Sequence, residues 1–247
     1  MRDMVDQAFI LGAGFGSRMR PLTDTVPKPM VKLAGKPLID HVIDRLTSVG
    51  VKKIVVNVHY LADVLETHLR QRTDVEIIIS DERDELLDTG GGVYKALDHF
   101  GDKAFFIHNS DSVWVESGHN NLAEMVKNFD PQKMDNLLCL ANKNTSLGYD
   151  GKGDFLLSNE GLISRKPSDV ASDHVFIGAS IATKNLFEKS VPENRLKGSF
   201  SLNKLWDVSI AQNRVYGIKH QGIWMHVGTT EALSEAEDCI RQAEPTL

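Results

Sequence analysis

Cysteine is scarce in this chain of 247 residues: Cys139 and Cys239 stand alone, and no Cys-x-x-Cys occurs. Neither a cysteine zinc site nor a dithiol redox motif is indicated. No apolar run is long enough to cross a bilayer, so no membrane partner is expected. Basic residues are not in excess. Against 34 Asp and Glu there are 28 Lys and Arg, a net charge of −6. A nucleic-acid partner is disfavoured, because a phosphate backbone needs a basic face. A small phosphorylated ligand held by a few local cations is not. Low-complexity segments and internal repeats are missing too. The opening stretch carries charges at Arg2, Asp3 and Asp6, and its short apolar run leads directly into glycines. It does not read as a signal peptide, so a cytoplasmic location is expected.

The chain is long enough to bury a sizeable core, and it alternates apolar strand-like runs with helix-like segments. Strands are expected over residues 8–11, 53–59, 75–80, 104–110 and 137–142. Between them, helices are expected over 37–49, 61–70, 91–100 and 120–129. In 37–49, Ile39, Val42, Ile43, Leu46 and Val49 share one helical face, with Pro37 at its start and Gly50 at its end. This order argues for a mostly parallel sheet in a three-layer α/β arrangement. The second half is less regular. It offers a hairpin at 155–158 and 162–164 around Asn159-Glu160-Gly161, strands at 175–182 and 215–219, and helices at 201–212 and 230–243. The chain reads as a single domain, with residues 1–142 as a nucleotide-binding half and 143–247 as the half that completes the sheet and shapes a second-substrate pocket.

The most informative segment is LGAGFGSRMRPLTDTVPKP, residues 11–29. Gly12, Gly14 and Gly16 follow a strand, where glycine lets backbone N–H groups approach phosphate oxygens. A Rossmann fingerprint would need glycine or alanine at position 17, where Ser17 stands, and an uninterrupted helix, which Pro21, Pro27 and Pro29 forbid. No glycine here begins a Walker A loop either. What remains is a glycine loop followed by Arg18, and by Lys28 between two prolines that should hold it on a stiff extended segment. Further on, Asp88-Thr89-Gly90-Gly91-Gly92 enters a helix, either as a plain capped start or as backbone that something must approach closely. Asp111 follows a strand, a suitable place for a carboxylate that binds Mg²⁺ beside phosphates.

The joint pattern G-x-G-S-R…P-K-P resembles the nucleoside-diphospho-sugar pyrophosphorylase family, and the resemblance runs from about Gln7 to Glu237. Among its short members, the chain is similar to uridylyltransferases of N-acetylmuramic acid 1-phosphate and to mannose-1-phosphate guanylyltransferases. The resemblance implies a Rossmann-like α/β/α sandwich with a mixed sheet. It also implies a nucleotidyltransferase that joins a nucleoside triphosphate to a sugar 1-phosphate and releases pyrophosphate. Leu11, Gly12, Ala13, Gly14, Gly16 and Ser17 would surround the nucleotide, with Arg18 on the triphosphate and Lys28 on the reacting phosphates. Thr89, Gly90 and Gly91 would read the nucleobase through backbone groups. Asn109, Gly148 and Lys166 would contact the sugar phosphate, and Asp111 would hold Mg²⁺, with Mn²⁺ the alternative; the aromatic Trp206 and Trp224 are candidates for the wall of the sugar pocket.

Two positions depart from the family pattern. His226 stands before Val227-Gly228, where relatives usually carry a second metal-binding aspartate, and imidazole is a softer ligand than carboxylate. Arg165, before Lys166-Pro167, replaces a usual glutamate. No extended hexapeptide-repeat segment is expected after the last helix. The similarity leans toward UTP and N-acetylmuramic acid 1-phosphate, a step of peptidoglycan recycling. GTP with mannose 1-phosphate is the alternative, and a non-catalytic nucleotide-sugar sensor is an alternative of another class. The failed Rossmann fingerprint argues against a nicotinamide-dependent oxidoreductase. No signal of oligomeric state is present.

Overall fold

A computed structural model describes residues 5–188 and 198–243 of the chain. In chain order the elements are β1 (Gln7–Leu11), β2 (Lys32–Leu33), β3 (Lys36–Pro37), α1 (Leu38–Ser48), β4 (Lys53–Val58), α2 (Ala62–Leu69), β5 (Glu76–Asp81) and α3 (Asp88–Lys95). Next come β6 (Phe105–Asn109), β7 (Ser112–Glu116), α4 (Asn121–Asn128), β8 (Asn136–Asn142), β9 (Phe155–Leu157), β10 (Ile163–Arg165) and β11 (His174–Ala182). The remainder is α5 (Asn185–Glu188), α6 (Leu202–Ala211), β12 (Val215–Lys219), β13 (Gly222–His226) and α7 (Thr230–Ala243).

Alternation in the strands sends side chains to two faces. In β1, Ala8 and Ile10 face a cluster with Ile39, Val42, Ile43 and Leu46 of α1 and Leu65 of α2. Phe9 faces the other way, toward Val93 of α3 and Leu202, Leu205 and Trp206 of α6. Helices thus cover both faces of the sheet, giving the expected three layers. A third, smaller cluster joins Met19, Val31 and Leu33 to Val113, Met225 and Val227. It fixes the far side of the glycine loop to the second half of the chain. Burial at about 25 cal/mol per Å² of apolar surface makes these three clusters the main stabilising contribution.

The sheet has nine strands among the described residues, in the order β10-β9-β11-β6-β1-β4-β5, with β8 pairing β11 and β12. Strands β6, β1, β4 and β5 run parallel, as does the β8–β12 pair, whereas β11 is antiparallel to β6 and β8. The sheet is therefore mixed, as the family resemblance implies, rather than mostly parallel as the strand–helix alternation alone suggested. The physical reason is β11, which inserts between two strands of the first half and reverses direction there. The hairpin expected around Gly161 forms, with Leu157 opposite Ile163. Strands β7 and β13, which make a separate antiparallel pair, were not expected as strands. His226 was singled out only as a motif residue. Trp224, a candidate pocket wall, is buried in the core and donates its indole N–H to Ser112 Oγ at 3.2 Å.

Candidate active site

A cleft of about 270 Å³ opens at the carboxyl ends of the parallel strands β1, β4 and β6. It is lined by Leu11 at the end of β1 and Gly12, Ala13 and Gly14 after it, by Lys28 and Pro29, by Asn57 of β4, by Leu86, Asp88 and Thr89, and by Asn109, Ser110 and Asp111 at the end of β6. Ligands collect at this edge of open α/β sheets, where strand ends and loop backbones leave polar groups exposed.

The turn after β1 explains its own composition. Gly16 has φ of +63°, and a Cβ there would lie 2.9 Å from Lys28 Cβ and 3.1 Å from Thr23 Cγ2. Only glycine satisfies both demands at low strain. The packing presses residue 28 inward. Lys28 opens a single 3-10 turn, Lys28–Met30, behind the extended Pro27, so the expected extended segment is replaced by one tight turn with Pro29 well placed inside it. Its ammonium reaches the Asp111 carboxylate, and the two side chains are 13% and 23% exposed. An ammonium has three donors, so Lys28 can donate to other acceptors besides Asp111.

Asp111 sits among opposing influences. Burial pushes its carboxyl up, but the charge and hydrogen bond of Lys28 and the nearby His226 outweigh this and hold it below the usual carboxylate range. His226 ends β13, and the β13–β7 register sets it opposite Ser112, beside Asp111. Burial lowers the imidazole's basicity, the Asp111 charge opposes that, and Lys28 and Arg18 lower it further. Arg18 lies in the 3-10 turn Ser17–Met19. Its Nη1 and the His226 Nε2 both lie against Gly228, at 3.4 and 2.8 Å from the position of a Cβ there. The fold thus gathers Lys28, Asp111, His226 and Arg18 at one place. This donor set fits a divalent ion that takes most of its ligands from water and substrate phosphates, the habit of Mg²⁺. It does not fit an all-protein metal cage, since no group of three or more His, Cys, Asp or Glu is gathered among the described residues.

Opposite the glycine loop, α3 begins three residues earlier than expected, so Thr89, Gly90 and Gly91 lie inside its first turn. The N–H groups of Gly90 and Gly91 both donate to the Phe200 carbonyl, at 2.8 and 3.0 Å. A Cβ on Gly90 would lie 2.5 Å from the Phe200 ring, and one on Gly91 2.5 Å from the Gly198 carbonyl oxygen. The close approach that these glycines allow is therefore made by the chain itself. The Gly90 and Gly91 N–H groups are thus engaged within the chain, and of the three residues expected to read a nucleobase through backbone groups, Thr89 is the one that faces the cleft. Thr89 does line the cleft, and its hydroxyl accepts the Leu202 N–H at 2.9 Å.

Sequence reasoning missed a buried tie beneath the cleft. Asn57 Oδ1 accepts the Gly12 N–H at 2.7 Å, and Asn57 Nδ2 donates to Glu82 Oε1 at 2.8 Å. The other Glu82 oxygen accepts the Leu87 N–H at 3.1 Å, and Glu82 is 1% exposed. One buried chain of hydrogen bonds thus joins the glycine loop to the entry of α3, and Gly12 spends its N–H within it. The available signal was an asparagine in the otherwise apolar strand KIVVNV.

The other expected residues divide between the cleft and a second region. Asn109 lines the cleft and packs against Gly178 of β11. Gly148 packs on the His226 carbonyl, 2.7 Å from where its Cβ would be, so it supports β13. Lys166 and Trp206 belong to a second pocket of about 370 Å³, lined also by Gly153, Asp154, Phe155, Arg165, Phe176 and Asn203. His226 stands between the two regions, near enough for its protonated form to favour the ionised carboxylates of both Asp111 and Asp154.

The family model described as nucleotidyl transferase matches residues 7–243. An N-acetylmuramate alpha-1-phosphate uridylyltransferase of Caulobacter vibrioides is 41% identical over 96% of this chain and 97% of its own length. A protein of the same name from Neisseria meningitidis serogroup B is 32% identical over 94% of this chain and 96% of its own. Among solved structures, the inositol-1-phosphate CTP transferase from T. maritima superposes with a TM-score of 0.78 at 19% identity, covering 100% of this chain and 99% of that one. The last shows a shared fold.

Proposed function

The chain belongs to the nucleotidyl transferase family, and from that premise we propose that it couples UTP to N-acetylmuramic acid 1-phosphate, giving the UDP-sugar and pyrophosphate. The observation that carries this reading is the convergence of Lys28, Asp111, His226 and Arg18 at the mouth of the glycine-loop cleft. Its direction toward UTP and this sugar rests on likeness to the two uridylyltransferases over nearly the whole of each chain. A cytoplasmic step in peptidoglycan recycling is the corresponding biological setting.

In this mechanism an oxygen of the sugar phosphate attacks the α-phosphorus of UTP in line. The bond from that phosphorus to the bridging oxygen breaks, and its electrons leave with pyrophosphate. A phosphate monoester is already ionised near neutral pH, so no general base is needed, and catalysis is positioning and charge neutralisation. Arg18 and Lys28 offset the triphosphate charge, and Lys166 orients the sugar phosphate. Mg²⁺, or Mn²⁺ in its place, would be held by Asp111 with His226 beside it, and would supply further neutralisation at the reacting phosphates. Asp111 suits that task because its environment keeps it ionised.

Pyrophosphate release from UTP or GTP, each mixed with N-acetylmuramic acid 1-phosphate or mannose 1-phosphate, tests the reading. Turnover is expected from UTP with the muramic acid derivative. Preference for GTP with mannose 1-phosphate would overturn the substrate assignment, and binding without pyrophosphate from any pair would leave a sensor.

A further inference from the structure

The second pocket carries charges that the phosphates alone do not require. Arg165 and Lys166 are consecutive at the end of edge strand β10, and both line it. Lys166 Nζ meets only the Val170 carbonyl among the described residues, at 3.1 Å, and no carboxylate pairs with it. Arg165 is held differently. Its Nε donates to Asp207 at 2.7 Å and its Nη2 to Asn203 Oδ1 at 2.8 Å, both from α6, and its guanidinium carbon stands 4.8 Å from the Phe155 ring centre. These three contacts immobilise one edge and one face of the group. Nη1 has no partner among the described residues.

A guanidinium pinned in this way has already lost the rotamer freedom that binding would otherwise remove, and its free corner is preset for a planar anion. The pocket wall is aromatic: Trp206 meets Phe176 edge-on at 5.0 Å and Phe155 at 6.0 Å. Such a wall suits a sugar ring, whose C–H face is apolar. Asp154 is the one acidic side chain lining the pocket. Its oxygen accepts the Phe176 N–H at 2.9 Å, and burial moves its carboxyl upward, which lessens its repulsion of an incoming anion.

We propose that Arg165 recognises a carboxylate carried on the sugar, so that this enzyme selects acidic sugar 1-phosphates over their neutral counterparts. The inference rests on the proposed function and deepens it. N-acetylmuramic acid differs from N-acetylglucosamine by one lactyl ether, whose carboxylate is the only added charge. Lys166 serves the phosphate common to both sugars, and Arg165 serves the group that only one of them has. A planar carboxylate facing a guanidinium forms charge-assisted hydrogen bonds, about twice as strong as neutral ones.

The test measures kcat/KM with UTP and either sugar 1-phosphate for the wild type, Arg165→Gln, Arg165→Lys and Asp207→Asn. The wild-type preference for the muramic acid derivative is expected to fall about 30- to 100-fold in Arg165→Gln, with KM for UTP unchanged. Arg165→Lys should recover part of it, and Asp207→Asn, which keeps the guanidinium, should lower it only a few-fold. Equal losses for both sugars, or an unchanged preference in Arg165→Gln, would overturn the assignment while leaving the enzyme reading intact. If Arg165→Gln does not fold, the Lys and Asn variants decide on the same ratio. If the wild type releases no pyrophosphate from UTP with either sugar, the functional reading itself fails, and this inference falls with it.

Discussion

Two half-hidden aspartates, one in each pocket, both feel desolvation, and their carboxyls shift in opposite directions. Burial raises the carboxyl of Asp111, but Lys28 touches it and the balance falls below the usual range. Burial raises the carboxyl of Asp154 as well, and there the Phe176 N–H and the more distant Arg165 and Lys166 do not reverse it. A full counter-charge in contact outweighs desolvation, whereas one backbone hydrogen bond does not. The cleft therefore presents an ionised carboxylate among preset cations. The second pocket presents a softened carboxylate, two outward cations and an aromatic wall. On the proposed reading, one region neutralises phosphates at the moment of transfer, and the other distinguishes sugars.

The largest effect that could break this contrast is at Asp111. Asp111→Asn should lower kcat by about 10²–10³, by analogy with the loss of one preorganised charge contact. Lys166→Ala should mainly raise KM for the sugar 1-phosphate, by roughly tenfold, about one charge-assisted hydrogen bond. Steady-state kinetics with each substrate varied separates the two outcomes, and equal kcat losses would erase the division of labour.

Acid should reveal how tightly the cleft side is built. His108 of β6 stacks on Trp114 at 5.5 Å, His220 meets the same ring edge-on at 5.5 Å, and the Arg45 guanidinium lies 3.9 Å from its centre. Burial is the main cause that lowers each imidazole from 6.5 to about 4, with Arg45 adding to it. Between those values the unfolded chain binds more protons than the folded one. Stability is thus complete above about pH 6.5 and is lost as pH falls toward 4, on the order of a few kcal/mol for the two groups together. Thermal melts across that range should show the decline, and His220→Gln should flatten it.

Smaller effects test the glycine loop against itself. Gly16→Ala forces an unfavourable φ and a clash with Lys28, and should cost about 1–3 kcal/mol while lowering kcat through the displaced lysine. Gly14→Ala has nothing within 4 Å of the new Cβ and should change stability by less than about 1 kcal/mol. Urea titration of both variants orders them, and equal losses would mean that residue 16 is not pressed against Lys28.

Legibility followed distance along the chain. The apolar face of α1, the β9–β10 hairpin, the loop after β1 and the position of Asp111 after β6 were all readable, because each is a local pattern of a few residues. Less readable was the job of each glycine. Gly90 and Gly91 looked like ligand-facing backbone, yet the segment at Phe200 occupies that space. The Asn57–Glu82 tie left only a faint trace, a polar residue in a buried strand. Pairing of β7 with β13 left none in the strand pattern, although it brings His226 beside Asp111.

What the amino-acid order determined by itself is the alternation of strands and helices, the punctuated glycine loop, and the kinds of charge available to meet phosphates. These depend on backbone preference and periodicity within one element. The tertiary structure alone decided that Lys28 meets Asp111 across 83 residues and that β11 reverses the sheet between β6 and β8. It also decided that Arg165 is pinned by α6 with one corner left over. Those outcomes arise from packing between segments far apart in the chain, and no local pattern encodes the partner that a side chain will find there.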